Sequence, residues 1–381
     1  MNLTERLADR GIRHFFAGSS ALDHYFKLKH GRTVYLDIVG SLIDIAKIGE
    51  ELQYPGVEHI DAVITEAGST ICIRCLDRDP DRKDTFLPHL SFRLDPQTRH
   101  YLDLGNAYGM IRRKAVDLTD VASFLTDTPG RQPTRDRHAQ RSRIVMEAAL
   151  LAGRYGFEIS QPELLPRIDA AEGLSVFEQR TLLIQIATGL RPDLGFGLLM
   201  SSGFVAAYWP VLLPMDETEH SKEYHPEGNV WEHVLESFVH RKSRDAIITL
   251  ALLLHDCGKP YSNSEDGNRF HKHAEIGAHY ARRFLRELGF PDTVVDEVGW
   301  LIRWHMIPGA LPQLPVFRTR ALMQSKLFPA LLEVYRCDLS STWRGPDGYY
   351  RACKVYRRFL RNESNPFRDS EGRKLLRLYV E

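Results

Sequence analysis

The chain has 381 residues, 43% apolar and 26% charged, which is too long for one compact core and points to two or three domains. Equal numbers of basic and acidic side chains give a formal charge of zero, excluding a molecule that grips nucleic acid through its overall field and leaving only local patches. There is no apolar run of about 18 residues, and the start MNLTERLADRG has charges without an apolar signal core, so a cytoplasmic protein with no membrane partner is expected.

Residues 12–110 mix strand-like runs (IRHFFAG, TVYLDIVGS, VEHIDAVITEAGSTICIRCL, HLSFRLD) with short helical patterns, which predicts an α/β or α+β domain. HFFAGSSALDHYF reads as strand, small-residue turn and helix start. Gly18 and Ser19 either present backbone N–H groups to a phosphate or form a serine-capped tight turn. Five cysteines, Cys72, Cys75, Cys257, Cys337 and Cys353, are an odd number suited to reduced thiols. Cys72 and Cys75 form a C-x-x-C, but it sits in an alternating run without a second pair, which argues against zinc.

Pro129-Gly130 and Pro133 mark a boundary before a basic helix in which Ile144, Val145, Ala148, Leu151 and Ala152 repeat at helical spacing. Arg135, Arg137, Arg141 and Arg143 there either line a phosphate path or form a solvated face.

FAGSSALDHYF and LSFRLDPQTRHYLDLGNAYGMIRRKAVDL resemble the opening and the later turn of class II CCA-adding enzymes and bacterial poly(A) polymerases. The likeness continues through the basic helix and LSVFEQRTLLIQIATGLRPDLGFGLLM, where Arg180 matches a base-reading position and Leu182 replaces an acidic one. Two-metal nucleotidyl transfer needs two or three carboxylates. The family's D-x-D falls on Tyr35-Leu36-Asp37 and keeps one. The resemblance therefore implies a degenerate head, with Gly18, Ser19, Asp37 and Arg180 as remnants of a nucleotide site.

The C-terminal third is helical and rich in histidine. HPEGNVWEHVLESFVHRK places Val230, Trp231, Val234, Leu235, Phe238 and Val239 on an apolar arc with His233 at its edge. In LALLLHDCGKP an apolar helix ends at His255-Asp256, with Gly258 and Pro260 stopping it. His273 opens a helix in which Gly277 permits close packing, His305 ends another, and Asp338 is in phase with Leu331, Val334 and Tyr335. His225, His240, His271 and His279 are read as surface or supporting residues, and Glu232 as a carboxylate that orients a histidine.

The series His233, His255-Asp256, His273, His305, Asp338 resembles the pattern of HD phosphohydrolases over about residues 225–345. That resemblance implies one or two divalent ions, with His233, His255, Asp256 and Asp338 on the first and His273 and His305 on the second, bridged by Asp256. Imidazole and carboxylate ligands without thiolates suit Mn, Fe, Co, Ni or Mg. Lys259 and Arg344 are candidates to neutralise phosphate oxygens. The basic tail after Tyr349, with interleaved aromatics, is either an RNA-contacting face or a solvated helix.

The expectation is an α+β chain: a degenerate nucleotidyltransferase-like head (1–130), a helical neck (131–220) and an all-α HD domain with a basic tail (221–381). Its expected activity is metal-dependent hydrolysis of a phosphoester of a nucleotide or RNA 3′ end, tRNA included, with Asp256, Lys259 and Arg344 at the reaction centre. The alternatives are an active tRNA CCA-adding nucleotidyltransferase or poly(A) polymerase-like enzyme and a non-enzymatic RNA-binding regulator with a structural metal.

Overall fold

A computed structural model describes residues 2–29, 33–48, 51–122, 135–219, 228–262 and 272–362. The chain is α+β and divides into two compact units, Met1–Ala207 and Tyr208–Glu381. The boundary expected at Pro129-Gly130 and Pro133, together with His225, His271 and the tail beyond residue 362, lies outside the described residues.

The first unit begins with α1 (Leu3–Asp9), β1 (His14–Ala17), α2 (Ser19–Tyr25), β2 (Thr33–Val39), α3 (Leu42–Ala46), β3 (Ala62–Glu66) and β4 (Ser69–Leu76). It continues with β5 (Phe92–Leu94), β6 (Tyr101–Asp103), α4 (Tyr108–Arg113), β7 (Ala115–Asp117) and α5 (Thr119–Ala122). Then come α6 (Arg135–Tyr155), β8 (Glu158–Ser160), α7 (Val176–Ala187), α8 (Pro192–Ser201) and the short α9 (Phe204–Tyr208), which ends at the division.

Six strands form one sheet in the order β3-β4-β2-β1-β5-β6, with β2 and β4 parallel and the other pairs antiparallel. Strand alternation turns Leu36 and Ile38 into a core with Leu3, Leu7, Ile45 and Ile73, and Asp37 to the opposite face. The same period separates Cys72 from Cys75: three residues apart on β4 they point to opposite faces, and both are free thiols.

The predicted helical face of α6, Ile144 to Ala152, is buried. A bidentate pair between Arg154 and Asp23 (2.8 and 2.6 Å), both almost fully buried, and a Tyr155 hydroxyl donated to the Ser19 carbonyl tie α6 to α2. Residues expected as separate head and neck thus belong to one unit as far as Ala207.

The second unit is helical: α10 (Pro214–Glu217), α11 (Val230–Val239), α12 (Ala246–Leu254), α13 (His273–Glu287), α14 (Asp292–Trp304), α15 (Ile307–Ala310), α16 (Val316–Met323), α17 (Phe328–Ser340) and α18 (Asp347–Asn362). Asn229 and Asp245 cap α11 and α12 by accepting backbone N–H groups of the first turn. Every residue of α12 from Ile248 to Leu254 is buried, with α11, α13, α14 and α17 packed around it. On α18, Tyr349, Ala352, Cys353, Tyr356 and Phe359 turn inward and Arg351, Arg357 and Arg358 outward. Most aromatics of the basic tail's described part are therefore core residues, and Tyr350 stays exposed.

Among the described residues no helix is long and apolar enough to cross a membrane.

Candidate metal centre

The buried face of α11 is rotated from the expected arc. His233 is fully buried beside Val230, Val234, Ser237 and Phe238, whereas Val239 is 57% exposed. Positions 230, 234, 237 and 238 form an i, i+4, i+7, i+8 stripe, and His233 lies within it. This sets the His233 and His255 rings 5.5 Å apart.

The ends of α12 and α14 position the next two histidines by the same local device. His255 donates Nδ1–H to the Leu252 carbonyl and His305 donates Nδ1–H to the Ile302 carbonyl, each at 2.7 Å. In the neutral ring the lone pair is then on Nε2, aimed inward. His233 reaches the same state through a longer link. Ser341 Oγ donates to the Asp338 carbonyl (2.7 Å), so it can only accept from His233 Nδ1 at 3.2 Å.

Asp256 is brought to His273 by two glycines. A Cβ on Gly258 would lie 2.1 Å from the His273 carbonyl oxygen and 2.4 Å from Gly277 N, so only glycine lets the turn after Asp256 sit on the first turns of α13.

The two oxygens of Asp256 serve different neighbours. Oδ2 is 3.2 Å from His255 Nε2 and 3.8 Å from His233 Nε2, while Oδ1 is 3.6 Å from His273 Nε2 and 4.0 Å from His305 Nε2. Asp338 Oδ1 lies 3.0 Å from His233 Nε2 and 3.7 Å from His255 Nε2. Two donor groups result, His233-His255-Asp338 and Asp256-His273-His305, each with its ligand atoms within 4.8 Å of one another.

A divalent cation fits these residues. His255 Nε2 is buried with no hydrogen-bond partner of acceptable geometry, an orphan that a metal ion would satisfy. Burial opposes charge on His255, but the Asp256 and Asp338 carboxylates lift its pKa to about 10. Burial also works against Asp256 and Asp338, yet both are held well below the usual carboxylate range. His255 and Lys259 do this for Asp256, and His233 and His255 for Asp338. His305, pushed down to about 4 by burial and then by His273 and His255, is neutral and able to ligate.

Lys259 Nζ pairs with Asp256 Oδ2 at 2.5 Å. Arg344 is exposed and acts electrostatically on Tyr335, whose hydroxyl also feels Asp338. Glu232 is exposed, and the group that orients a histidine is Ser341, which sequence reasoning missed.

The family model described as "HD domain" matches residues 229–332. Residues 229–332 are an HD domain. The match contains His233, His255, Asp256, His273 and His305, and Asp338 follows it on α17.

The chain is also homologous to tRNA nucleotidyltransferases. It is 32% identical over 200 residues to a CC-adding tRNA nucleotidyltransferase of Thermus thermophilus, covering 50% of this chain and 43% of that protein. It is 28% identical over 181 residues to a multifunctional CCA protein of Halorhodospira halophila, covering 45% of this chain and 44% of that one. The chain thus spans less than half the length of these relatives. Among solved structures, a Bacillus stearothermophilus CCA-adding enzyme in complex with CTP aligns over 94% of this chain and 81% of that chain, with 17% identity and a TM-score of 0.45.

The first unit has its own candidate site, a cavity of 260 Å³ whose lining includes Gly18, Ser19, Asp37, Arg74, Asp84 and Arg93. From α7 the lining takes Phe177, Glu178, Thr181, Leu182 and Gln185. Arg180 is not in this lining, and its guanidinium lies over the Phe177 ring at 5.7 Å. The serines of the turn are used internally: Ser20 Oγ accepts from Tyr35 N, and Ser19 Oγ accepts from Gln185 Nε2. Asp37 accepts from Arg74 Nε and Nη2 (2.9 and 2.6 Å) and from Arg93 Nε (2.6 Å). Asp84 accepts from both arginines as well. Two guanidinium charges thus surround the one carboxylate left from the D-x-D position. Arg143, read as a candidate on a phosphate path, pairs with Glu58 and approaches Glu178 at 3.8 Å.

Proposed function

We propose that the HD domain is a divalent-metal phosphohydrolase acting on a phosphoester of a nucleotide or of an RNA 3′ end, tRNA included. The observation that carries this reading is the division of Asp256, with one oxygen facing His233 and His255 and the other facing His273 and His305. His233, His255, Asp256 and Asp338 would hold one ion of Mn, Fe, Co, Ni or Mg, and Asp256, His273 and His305 a second. A bound ion of this kind lowers the pKa of water toward neutrality and stabilises charge on phosphoryl oxygens.

The chain contributes orientation and charge. Three histidines are fixed through Nδ1, so no torsional search precedes ligation. Lys259, already against Asp256, brings a cation to the phosphate side, and Arg344 offers a second. Burial of His233, His255, Asp256 and His305 keeps bulk water from competing for the same donors.

The test uses full-length protein reconstituted with each ion and assayed on bis-p-nitrophenyl phosphate and 2′,3′-cyclic AMP. Asp256→Ala is expected to lose bound metal and to lower turnover at least about a hundredfold. Unchanged turnover in that variant would overturn the reading. RNA binding without turnover under any ion would favour the regulator.

A second reading, tRNA nucleotidyl transfer in the first unit, is supported by the similarity to the Thermus thermophilus CC-adding enzyme. Against it stands the engagement of Asp37 by Arg74 and Arg93. Incorporation of labelled CTP or ATP into tRNA lacking its 3′ end, abolished by Asp37→Ala, would establish this second activity.

A further inference from the structure

The chain leaves the candidate metal centre at the C-terminal ends of α12, α14 and α17, and each exit carries a large side chain held out in solvent. Tyr261 follows Asp256 by five residues and is 39% exposed, Met306 follows His305 directly and is 51% exposed, and Trp343 follows Asp338 by five and is 71% exposed. In the same unit Trp231, Phe284, Phe328 and Tyr356 are buried, while Phe317 (77%) and Tyr350 (63%) are exposed but stand farther along the chain from any candidate ligand than Tyr261 or Trp343 does. Leaving an indole in water forfeits on the order of 2 kcal/mol of burial, part of which a flat partner stacked on it would recover.

Trp343 is tied to the centre by short links. Ser341, two residues earlier, contacts His233 Nδ1, so at most about 7 Å of extended backbone separates the two positions. The segments that carry Met306 and Trp343 also converge. The Tyr335 hydroxyl would lie 3.0 Å from a Cβ on Gly309 and 2.7 Å from a Cβ on Gly348, so α15, which follows His305, and the first turn of α18 both close onto this one ring. Arg344, next to Trp343, and Arg351 act on the same hydroxyl. The rim therefore combines an exposed aromatic face with cations, beside carboxylate and imidazole groups that would hold a divalent ion for a phosphate to approach.

We infer that Trp343 is a specificity residue of the HD domain, the platform on which the base of a nucleotide phosphoester stacks while its phosphate lies at the candidate metal centre. This inference rests on the phosphohydrolase reading and narrows its substrate to esters that carry a nucleobase next to the scissile phosphate. A nucleobase is chosen because one ligand must offer both an anion and a flat π face within a few ångströms, and stacking of a base on an aromatic side chain tolerates any base.

The test compares 2′,3′-cyclic AMP with the 2′,3′-cyclic phosphate of methyl riboside, which has the same reacting group and no base. Both are assayed with full-length, metal-reconstituted wild type, Trp343→Ala and Trp343→Phe. Trp343→Ala is expected to raise KM for 2′,3′-cyclic AMP about tenfold while leaving its kcat within about twofold. KM for the methyl riboside ester should be unchanged, and Trp343→Phe should recover most of the loss. An equal effect on both esters, or no effect on either, would overturn the inference. If wild type turns over neither ester, the phosphohydrolase reading fails, and a separate readout decides the platform. AMP should quench tryptophan emission in wild type and lose that quenching in Trp343→Phe; quenching that persists in the variant sinks the platform as well.

Discussion

Ser341 decides which way His233 faces. Its proton is committed to the Asp338 carbonyl, so the hydroxyl oxygen accepts Nδ1–H and Nε2 is left pointing at Asp338 Oδ1. Ser341→Ala removes that acceptor and with it the contact that sets Nδ1. Metal affinity, measured by competition with a chelator, should fall about 10- to 100-fold with the helical circular dichroism unchanged; an unaltered affinity would show that packing alone orients the ring. His255 and His305 need no such partner, because a residue at a helix C-terminus finds the carbonyl three positions back. Their roles were accordingly legible in the local sequence as residues closing apolar helices. Ser341 was not, since its contact spans 108 residues and a serine after a helix carries no signal of its own.

At the scale of elements, period settled much and pairing settled little. Strand-like runs announced β2 and β4, 3.6-residue spacing announced α6 and α17, and an unbroken apolar run announced α12. Nothing in the runs themselves said that β2 would lie parallel to β4 with Asp37 opposite Arg74, or that α11 would turn His233 inward and Val239 outward. Both depend on what packs across the element. One consequence is measurable on α6. Glu147 accepts the Leu87 and Phe86 backbone N–H groups, and burial, against the pull of those donors, raises its carboxyl from 4.5 to about 7. Lys83 and Asp84 face it with opposing effects. The folded state therefore holds a proton that the unfolded state releases, so this group's contribution is complete below about pH 4.5 and is lost as pH rises through about 7. Comparing chemical denaturation of wild type and Glu147→Gln isolates it. The variant should gain on wild type by about 3 kcal/mol between pH 4.5 and 8, and parallel stability curves would show that Glu147 titrates normally.

Across the whole molecule, the two units treat their carboxylates in opposite ways. In the first, Asp37 and Asp84 are consumed by Arg74 and Arg93, four charges that cancel. In the second, Asp256 and Asp338 face imidazoles that can give up their protons to a metal. Breaking a buried pair from one side leaves a guanidinium uncompensated, so Asp37→Asn should destabilise its sheet by about 3 kcal/mol. Hydrogen exchange should then quicken in β2, β4 and β5, with metal binding by the HD domain unchanged. Adding metal to wild type at a hundred times its Kd should stabilise the HD domain by about 2.7 kcal/mol and slow exchange in α11, α12 and α17. If Asp37 instead held a catalytic cation, Asp37→Asn measured in chelator-treated protein would leave the sheet as stable as before, or more so, because removing a metal-facing charge relieves repulsion when no ion is bound. The sign of that one stability change therefore distinguishes an arginine-filled pocket from a working nucleotidyl-transfer centre before any substrate is tried.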